Sequence, residues 1–309
     1  MSSTGSFDLP ALTCRRLRVR LAAEEPARLP GYLGSALRGS FGHALRTLAC
    51  AFGPRQPCAS CLLRGSCAST RLFETFVEGP PPPYLTGIDT APRPLVFEPW
   101  KEVRALSTGE ELGFDLLLFG RAVELEAYAR LAIERLATNG LGASRTRFRV
   151  VEVQAVTETP RPAPLEAGAL TLRFLTPTRL VGNGKFVHQP TFQALAFRML
   201  RRHLELTHFH GNAAAVDWNL GPFMAMTKRV EVVARDLRWQ DWSRYSNRQK
   251  TSIQMGGFVG SMTLRGELSP FLPLLEAAEL LHVGKGAMLG LGHLRLERPA
   301  VSVERSAAA

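Results

Sequence analysis

Along the chain the apolar positions switch between a period of two and a period near 3.6, and the switches set out its elements. Over 14–21, Leu17, Val19 and Leu21 alternate with Arg16, Arg18 and Arg20, which predicts a strand with one apolar and one strongly basic face. Over 30–48, Leu33, Leu37, Phe41, Ala44, Leu45 and Leu48 recur at helical spacing, with Pro30 suited to the helix start. Gly34, Gly39 and Gly42 lie inside that helix. Each costs about 1 kcal/mol against alanine, so the cluster signals close backbone packing or close approach of a ligand. Strands are predicted at 95–97 and 112–119, an amphipathic helix at 124–137, and a strand at 146–156. The order β-α-β-β-α-β is the ferredoxin-like pattern.

The order then repeats, with a strand at 169–175 and a helix at 191–206. That helix turns Leu195, Met199 and Leu200 inward and leaves Arg198, Arg201 and Arg202 outside. Strands at 230–237 and 254–264, a helix at 270–281 and a strand at 291–297 complete the set. Two glycine loops echo each other. Gly140 and Gly142 precede a strand carrying Arg145 and Arg147, and Gly284, Gly286, Gly290 and Gly292, with Lys285 among them, precede the last strand. A repeated order with matching loops indicates a duplication. The expected fold is therefore α+β, two tandem ferredoxin-like domains. Residues 1–156 form the first, with a Cys-rich insertion at about 50–93. A Pro-rich linker covers 157–168, and 169–309 form the second, with its glycine-rich loop at 284–292 and a loose Ala-rich tail after 303.

Composition adds a partner. The chain has 309 residues, 45% of them hydrophobic, enough for two ordinary cores. Its net charge of +11 predicts a polyanionic partner, nucleic acid ahead of membrane. The sequence holds neither an apolar run long enough to span a bilayer nor a signal peptide, so a cytoplasmic protein is expected. Five cysteines in such a chain are not a disulfide framework. Cys14 reads as a small core residue. Cys50, Cys58, Cys61 and Cys67 follow the spacing C-x7-C-x2-C-x5-C, which can close a structural tetrahedral zinc site. The same four thiolates can hold an iron–sulfur cluster or stay as free thiols.

Several stretches together resemble one family. They are Leu37-Arg38-Gly39-Ser40-Phe41-Gly42-His43-Ala44-Leu45-Arg46, the cysteine segment ending in Leu72-Phe73-Glu74, Phe174-Leu175-Thr176-Pro177-Thr178-Arg179-Leu180, Tyr245-Ser246-Asn247-Arg248-Gln249-Lys250, and the Gly284–Gly292 loop. The set is similar to the CRISPR-associated endoribonucleases of the RAMP superfamily, which cut the repeat-spacer transcript into guide RNAs. The resemblance spans about residues 15 to 297. It implies ferredoxin-like domains and metal-independent cleavage within each repeat. It also implies a product that stays bound and passes to subunits of a CRISPR interference complex.

Cleaving RNA without a metal uses the RNA's own 2′-OH as nucleophile, so the protein must align it, move protons and offset the phosphorane's charge. Histidine suits the proton transfers. Of the seven histidines, His43 is the first candidate, because it lies beside Arg46, which can hold the phosphorane, and because the family commonly takes a catalytic histidine from this first-helix region. Tyr32, at the mouth of the helix, can position the 2′-OH. His208 and His210 are the second choice, with helix capping as their other reading. His188, His203, His282 and His293 read as structural.

For RNA contact the candidates are Arg38, Arg145, Arg147, Tyr245, Arg248, Gln249, Lys250 and Lys285, with Lys185 and Lys228 behind them. Trp239 and Trp242 read as core residues. Two other functions fit parts of the chain: a guide-RNA-binding subunit that does not cut, and a zinc or iron–sulfur regulator built on the four cysteines. Whether two chains pair as a homodimer is open at this level.

Overall fold

The computed structural model describes residues 9–297 except 54–55, 78, 143, 159–167, 183, 212–217 and 247–250, with backbone alone at 243–246 and 251–254. The first unit runs β1 (Cys14–Ala23), α1 (Leu33–Ala49), β2 (Leu95–Pro99), β3 (Glu111–Phe119), α2 (Glu126–Asn139) and β4 (Phe148–Glu158). The second runs β5 (Ala169–Thr178), α3 (Phe192–His210), β6 (Val230–Gln240), β7 (Gly257–Gly266), α4 (Leu272–Leu281) and β8 (Leu294–Glu297). Both sheets are antiparallel, ordered β2-β3-β1-β4 and β6-β7-β5-β8. The two orders are the same, so the protein is two tandem ferredoxin-like units, as the alternation of periods predicts.

The layers follow from which faces are apolar. Leu17, Val19 and Leu21 of β1 pack on Leu37, Phe41 and Leu45 of α1 and Ala129, Ile133 and Leu136 of α2. In the second unit Leu170, Leu172 and Phe174 of β5 pack on Leu195, Met199 and Leu200 of α3 and Leu275 and Ala278 of α4. A third cluster joins the two. Cys14, Val96, Leu117 and Phe119, on the far face of the first sheet, meet Leu206, Ala277 and Leu281 of α3 and α4. The layer order is thus α1/α2, first sheet, α3/α4, second sheet.

That arrangement changes the reading of the basic face of β1. Arg18 stays exposed, and Arg20 pairs with Glu111 at 3.6 Å and Glu152 at 3.2 Å. Arg16 is buried. It meets Glu98 at 2.5 Å, Asp115 at 2.6 Å and Glu158 at 2.5 Å. Glu98 in turn pairs with His282 Nε2 at 2.7 Å, while His282 Nδ1 donates to the Leu291 carbonyl at 3.0 Å. One end of the basic face is therefore the polar seam between the units.

Three further differences are local. The α3 helix runs through His210 rather than stopping at 206, because Leu206, Thr207 and His210 continue its buried stripe. Residues 254–256 do not belong to β7; Thr251–Gln254 pairs with Ser243–Ser246 as a separate hairpin. The expected zinc site is corrected. Among the described residues, only Glu98, His282 and His293 place three ligand atoms within 4.8 Å of one another, and the cysteines form no such group. Cys50 Sγ donates to Gly53 O at 3.2 Å, Cys67 Sγ to Ala49 O at 3.8 Å, and Cys58 Sγ accepts from Arg46 Nη1 at 2.6 Å. Three of the four thiols thus have separate hydrogen-bond partners, and the four are not gathered as a metal site among the described residues. No described helix is long and apolar enough to cross a membrane.

Replacing Arg16 by Met leaves carboxylates buried without their cation, and this should cost about 3–5 kcal/mol of stability. Arg18→Met, on the same strand but exposed, should change it by about 0.5 kcal/mol or less. Urea unfolding of both variants checks this; equal midpoints would remove the seam's role.

Candidate active site and RNA interface

The glycine loop is the meeting point of the two units. A 3-10 turn at Ala287–Leu289 lies between Gly286 and Gly290, both at φ +86°, a conformation that side chains rarely adopt. The turn is stitched to β5 and to itself. Lys285 N donates to Arg179 O at 2.9 Å, Gly292 N to Pro177 O at 3.1 Å and Gly290 N to Ala287 O at 2.8 Å, while Thr176 Oγ1 donates to Gly290 O at 2.8 Å. These backbone donors are consumed by the fold, so at those positions the loop is not an open cradle for phosphate. At those positions side chains, not backbone amides, are left to meet a ligand.

The loop reaches across to the start of α1. The hydroxyl of Tyr32 donates to the Leu289 carbonyl at 2.8 Å, and its ring lies 4.6 Å from that of Trp242. Leu289, Leu291 and Met255 close a small apolar cluster with these two rings. Burial, with Glu102 adding to it, pushes the Tyr32 hydroxyl well above its ordinary range, so it stays a neutral donor. Gly34, one turn on, is required by contact: a Cβ there would stand 1.8 Å from Leu289 O. Gly42 packs under Phe73, whereas a Cβ at Gly39 would meet nothing. Two of the three helix glycines thus serve packing.

The histidines separate by environment. His203 Nε2 donates to Pro10 O at 2.8 Å and His210 Nε2 to Pro92 O at 2.6 Å. Burial lowers both, His210 to about 4. His293 stacks on His282 at 4.7 Å; burial, then the neighbouring His282, lowers it to about 3. Burial alone would raise Glu98, but its hydrogen bond to His282, with the positive charge of His282 and Arg16, brings it down to about 2. His188 is exposed with its ring 4.1 Å from Trp239. His208 is half-buried against Phe209. His43 is exposed on α1, the helix that seats the glycine loop. Its neighbour Arg46 points into the cysteine segment, donating to Cys58 Sγ and to Gln56 O. Arg46 would have to leave those partners to reach a phosphate.

The predicted RNA contacts disperse. The Arg38 guanidinium lies 4.6 Å from the centre of the Phe73 ring. Arg145 and Arg147 are exposed beside the other glycine loop. Arg248, Gln249, Lys250 and the side chain of Tyr245 lie outside the described residues. Lys285 is brought to Arg179, Arg198, Arg201 and Arg202, which with it line one cavity. The sequence already sets Arg198, Arg201 and Arg202 on one helix face, towards a repeat hairpin or water; their meeting with Lys285 and Arg179 is not legible in it.

The protein is thus a basic, tandem ferredoxin-like protein whose two units meet at a glycine-rich loop. A family model described as an N-terminal domain matches residues 12–170, and the model of the CRISPR-associated endoribonuclease Cas6 matches residues 172–294. Over residues 172–294 the chain is thus a member of the Cas6 family, described as CRISPR-associated endoribonucleases. Solved Cas6 structures share the fold. A Cas6 product complex is 19% identical, with 92% of this chain and 99% of that chain covered at a TM-score of 0.58. Thermus thermophilus Cas6 is 17% identical over 93% and 100%, TM-score 0.56. A partial Cas6-RT-Cas1–Cas2 complex is 14% identical over 95% and 47%, TM-score 0.59. Among curated proteins none is similar in sequence.

Gly34→Ala should cost about 1–3 kcal/mol through overpacking against the loop, while Gly39→Ala, in open space, should be neutral or gain about 1 kcal/mol; urea midpoints of the two variants decide. A pH dependence follows as well. His210 at about 4 and His293 at about 3 lie below the ordinary 6.5, so both are neutral when folded and take up protons on unfolding. Their contribution is full above about pH 6.5 and is lost as pH falls towards 4. Glu98, already down at about 2, loses its contribution only at lower pH. His210→Gln can still donate to Pro92 without titrating, so its unfolding midpoint should fall less between pH 7 and pH 4.5 than that of the parent protein.

Proposed function

We propose that this protein binds the repeat of the precursor CRISPR transcript and cleaves it without a metal, through attack of a 2′-OH on the adjacent phosphorus. The observation that carries this is the placement of His43: an exposed histidine on the helix against which the glycine loop is clamped. By contrast, His203, His210 and His282 spend ring nitrogens on buried acceptors. In this reading His43 serves proton transfer. The 2′-oxygen loses its proton as it bonds to phosphorus, the P–O5′ bond breaks, and O5′ takes a proton. The products are a 2′,3′-cyclic phosphate and a 5′-OH.

Tyr32 acts by seating the loop through Leu289, a positioning role that suits a neutral hydroxyl. Arg46 ties α1 to the cysteine segment and offsets phosphorane charge only by exchanging its bond to Cys58. Arg38, Arg145, Arg147, Lys285 and the 245–250 segment contact RNA backbone. We assign 1–156 and 169–309 to two domains joined by 157–168. A solved relative described as a product complex supports retention of the guide RNA, and one within a Cas6-RT-Cas1–Cas2 complex supports hand-over to other CRISPR proteins.

The test is cleavage of labelled repeat RNA in excess EDTA by the parent protein and by His43→Ala. Parent cleavage should persist, and the variant should lose about 10²–10⁴-fold in rate while binding RNA equally well. Equal cutting by both moves the proton transfer elsewhere, with His208→Ala as the next variant. Binding with no cutting by the parent protein identifies a guide-RNA-binding subunit instead.

A further inference from the structure

Between the opening of the glycine loop and the flank of α3 lies a cavity of about 280 Å³, lined by Arg179, Arg198, Arg201, Arg202, Glu205 and Lys285. Among the described lining residues, Arg198, Arg202 and Lys285 stand with one carboxylate, Glu205, which is already taken by Arg201 at 2.8 Å. Such a balance is unfavourable unless an anion completes it.

The cations are fixed before any ligand arrives. Arg198 Nη2 donates to Val181 O at 2.5 Å and Arg201 Nη2 to Thr86 O at 2.8 Å. Arg202 donates through Nε to Leu281 O, the last residue of α4. Arg179 lies 4.4 Å over the ring of Phe186. Lys285 is carried in by the loop, whose backbone is tied to Arg179 at 2.9 Å. Meanwhile Nη2 of Arg202 is buried with no hydrogen-bond partner. Burial lowers Arg202 to about 10, against the pull of Glu205, which leaves it charged at neutral pH. Nη2 is shielded from solvent, so what Arg202 brings to the cavity wall is a fixed charge rather than an open donor.

We infer that this cavity is a phosphate site, and that it holds a backbone phosphate of the bound RNA at a place separate from the cut. The second half of the inference rests on the reading that the chain binds repeat RNA. Among the described lining residues the polar groups are guanidinium, ammonium and one carboxylate. Fixed cations of this kind suit phosphate oxygens, and in this inference the contact positions RNA rather than selecting its sequence. The loop that bears Lys285 at this cavity bears Leu289 at Tyr32, so one rigid element registers a distant phosphate against α1.

The experiment measures affinity of the full-length protein for repeat RNA as a function of salt, in the His43→Ala background so that the RNA stays whole. Arg202→Gln is compared with Arg201→Gln, a half-exposed member that tolerates change if the buried one fails to fold, and with Arg229→Gln, from an exposed pair outside the cavity. Loss of one phosphate contact should lower the slope of log K against log salt by about 0.7–0.9. It should weaken binding about tenfold, equally for the repeat and for a shuffled RNA of the same length. Arg229→Gln should leave slope and affinity unchanged.

If neither Arg202→Gln nor Arg201→Gln alters the slope while the parent protein binds RNA, the inference fails and the proposed function stands. If the parent protein binds no RNA, the proposed function itself fails. Inorganic phosphate is the second arm: thermal stabilisation of the parent protein by phosphate, lost in Arg201→Gln with RNA affinity unmoved, assigns the cavity to a free anion and overturns the RNA half of the inference.

Discussion

The seam between the two units depends on one buried cation. Arg16 lies in the middle of a sheet face that a lone ferredoxin-like domain would leave in water. Here that face is covered by α3 and α4, and three carboxylates converge on the guanidinium. Burying charge is costly unless partners and hydrogen bonds are complete. The set is nearly closed: Trp100 Nε1 donates to Asp115 Oδ1 at 2.7 Å, and His282 occupies the remaining oxygen of Glu98. His282 reaches it at φ +60°, ψ 165°, a backbone state costing about 1–3 kcal/mol outside glycine. That strain persists because both ring nitrogens are bonded, one of them to the glycine loop itself.

His282 thereby links the seam to the loop. It follows the end of α4, and ten residues later Gly292 returns its carbonyl to Val283. Everything the loop touches is placed by this closure: Leu289 under Tyr32, Gly290 against the Phe97 carbonyl, Lys285 beside Arg179. The loop's glycines thus serve geometry first. They allow tight turns and close backbone approach, and the chemistry that faces RNA is carried by side chains on either flank.

Much of the fold was legible in the sequence because its signals are local. Alternation over 14–21 and 112–119, and the helical stripes from Leu33 and Leu195, depend only on period. The duplicated order then fixes the ferredoxin-like topology. What failed needed distance information. Arg16, Arg18 and Arg20 are equivalent by pattern, yet the guanidinium of Arg16 is the one bonded to Glu98 and Asp115, more than 80 residues away. The cysteine spacing permits a metal site, but the segment's own turns and Arg46 give the thiols other partners. His208 and His210 looked like residues past a helix end, and the buried stripe through His210 places them within it. At the candidate site the family likeness picked out α1 and the loop as separate stretches, while the bond that joins them, from Tyr32 to Leu289, spans 257 positions and no local rule contains it.

The same reasoning explains why basic residues in this chain divide into two kinds. An arginine facing carboxylates from other strands, like Arg16, is consumed by folding and adds nothing to RNA affinity. An arginine held by backbone carbonyls, like Arg198 or Arg202, keeps its charge uncompensated, because a carbonyl orients a guanidinium without neutralising it. The net charge of +11 therefore overstates the charge available at some surfaces and understates its concentration at others. Along the flank of α3 it is gathered around one cavity, beside the opening of the glycine loop. The electrostatic attraction and the positioning of α1 are then two consequences of a single rigid connection between the units.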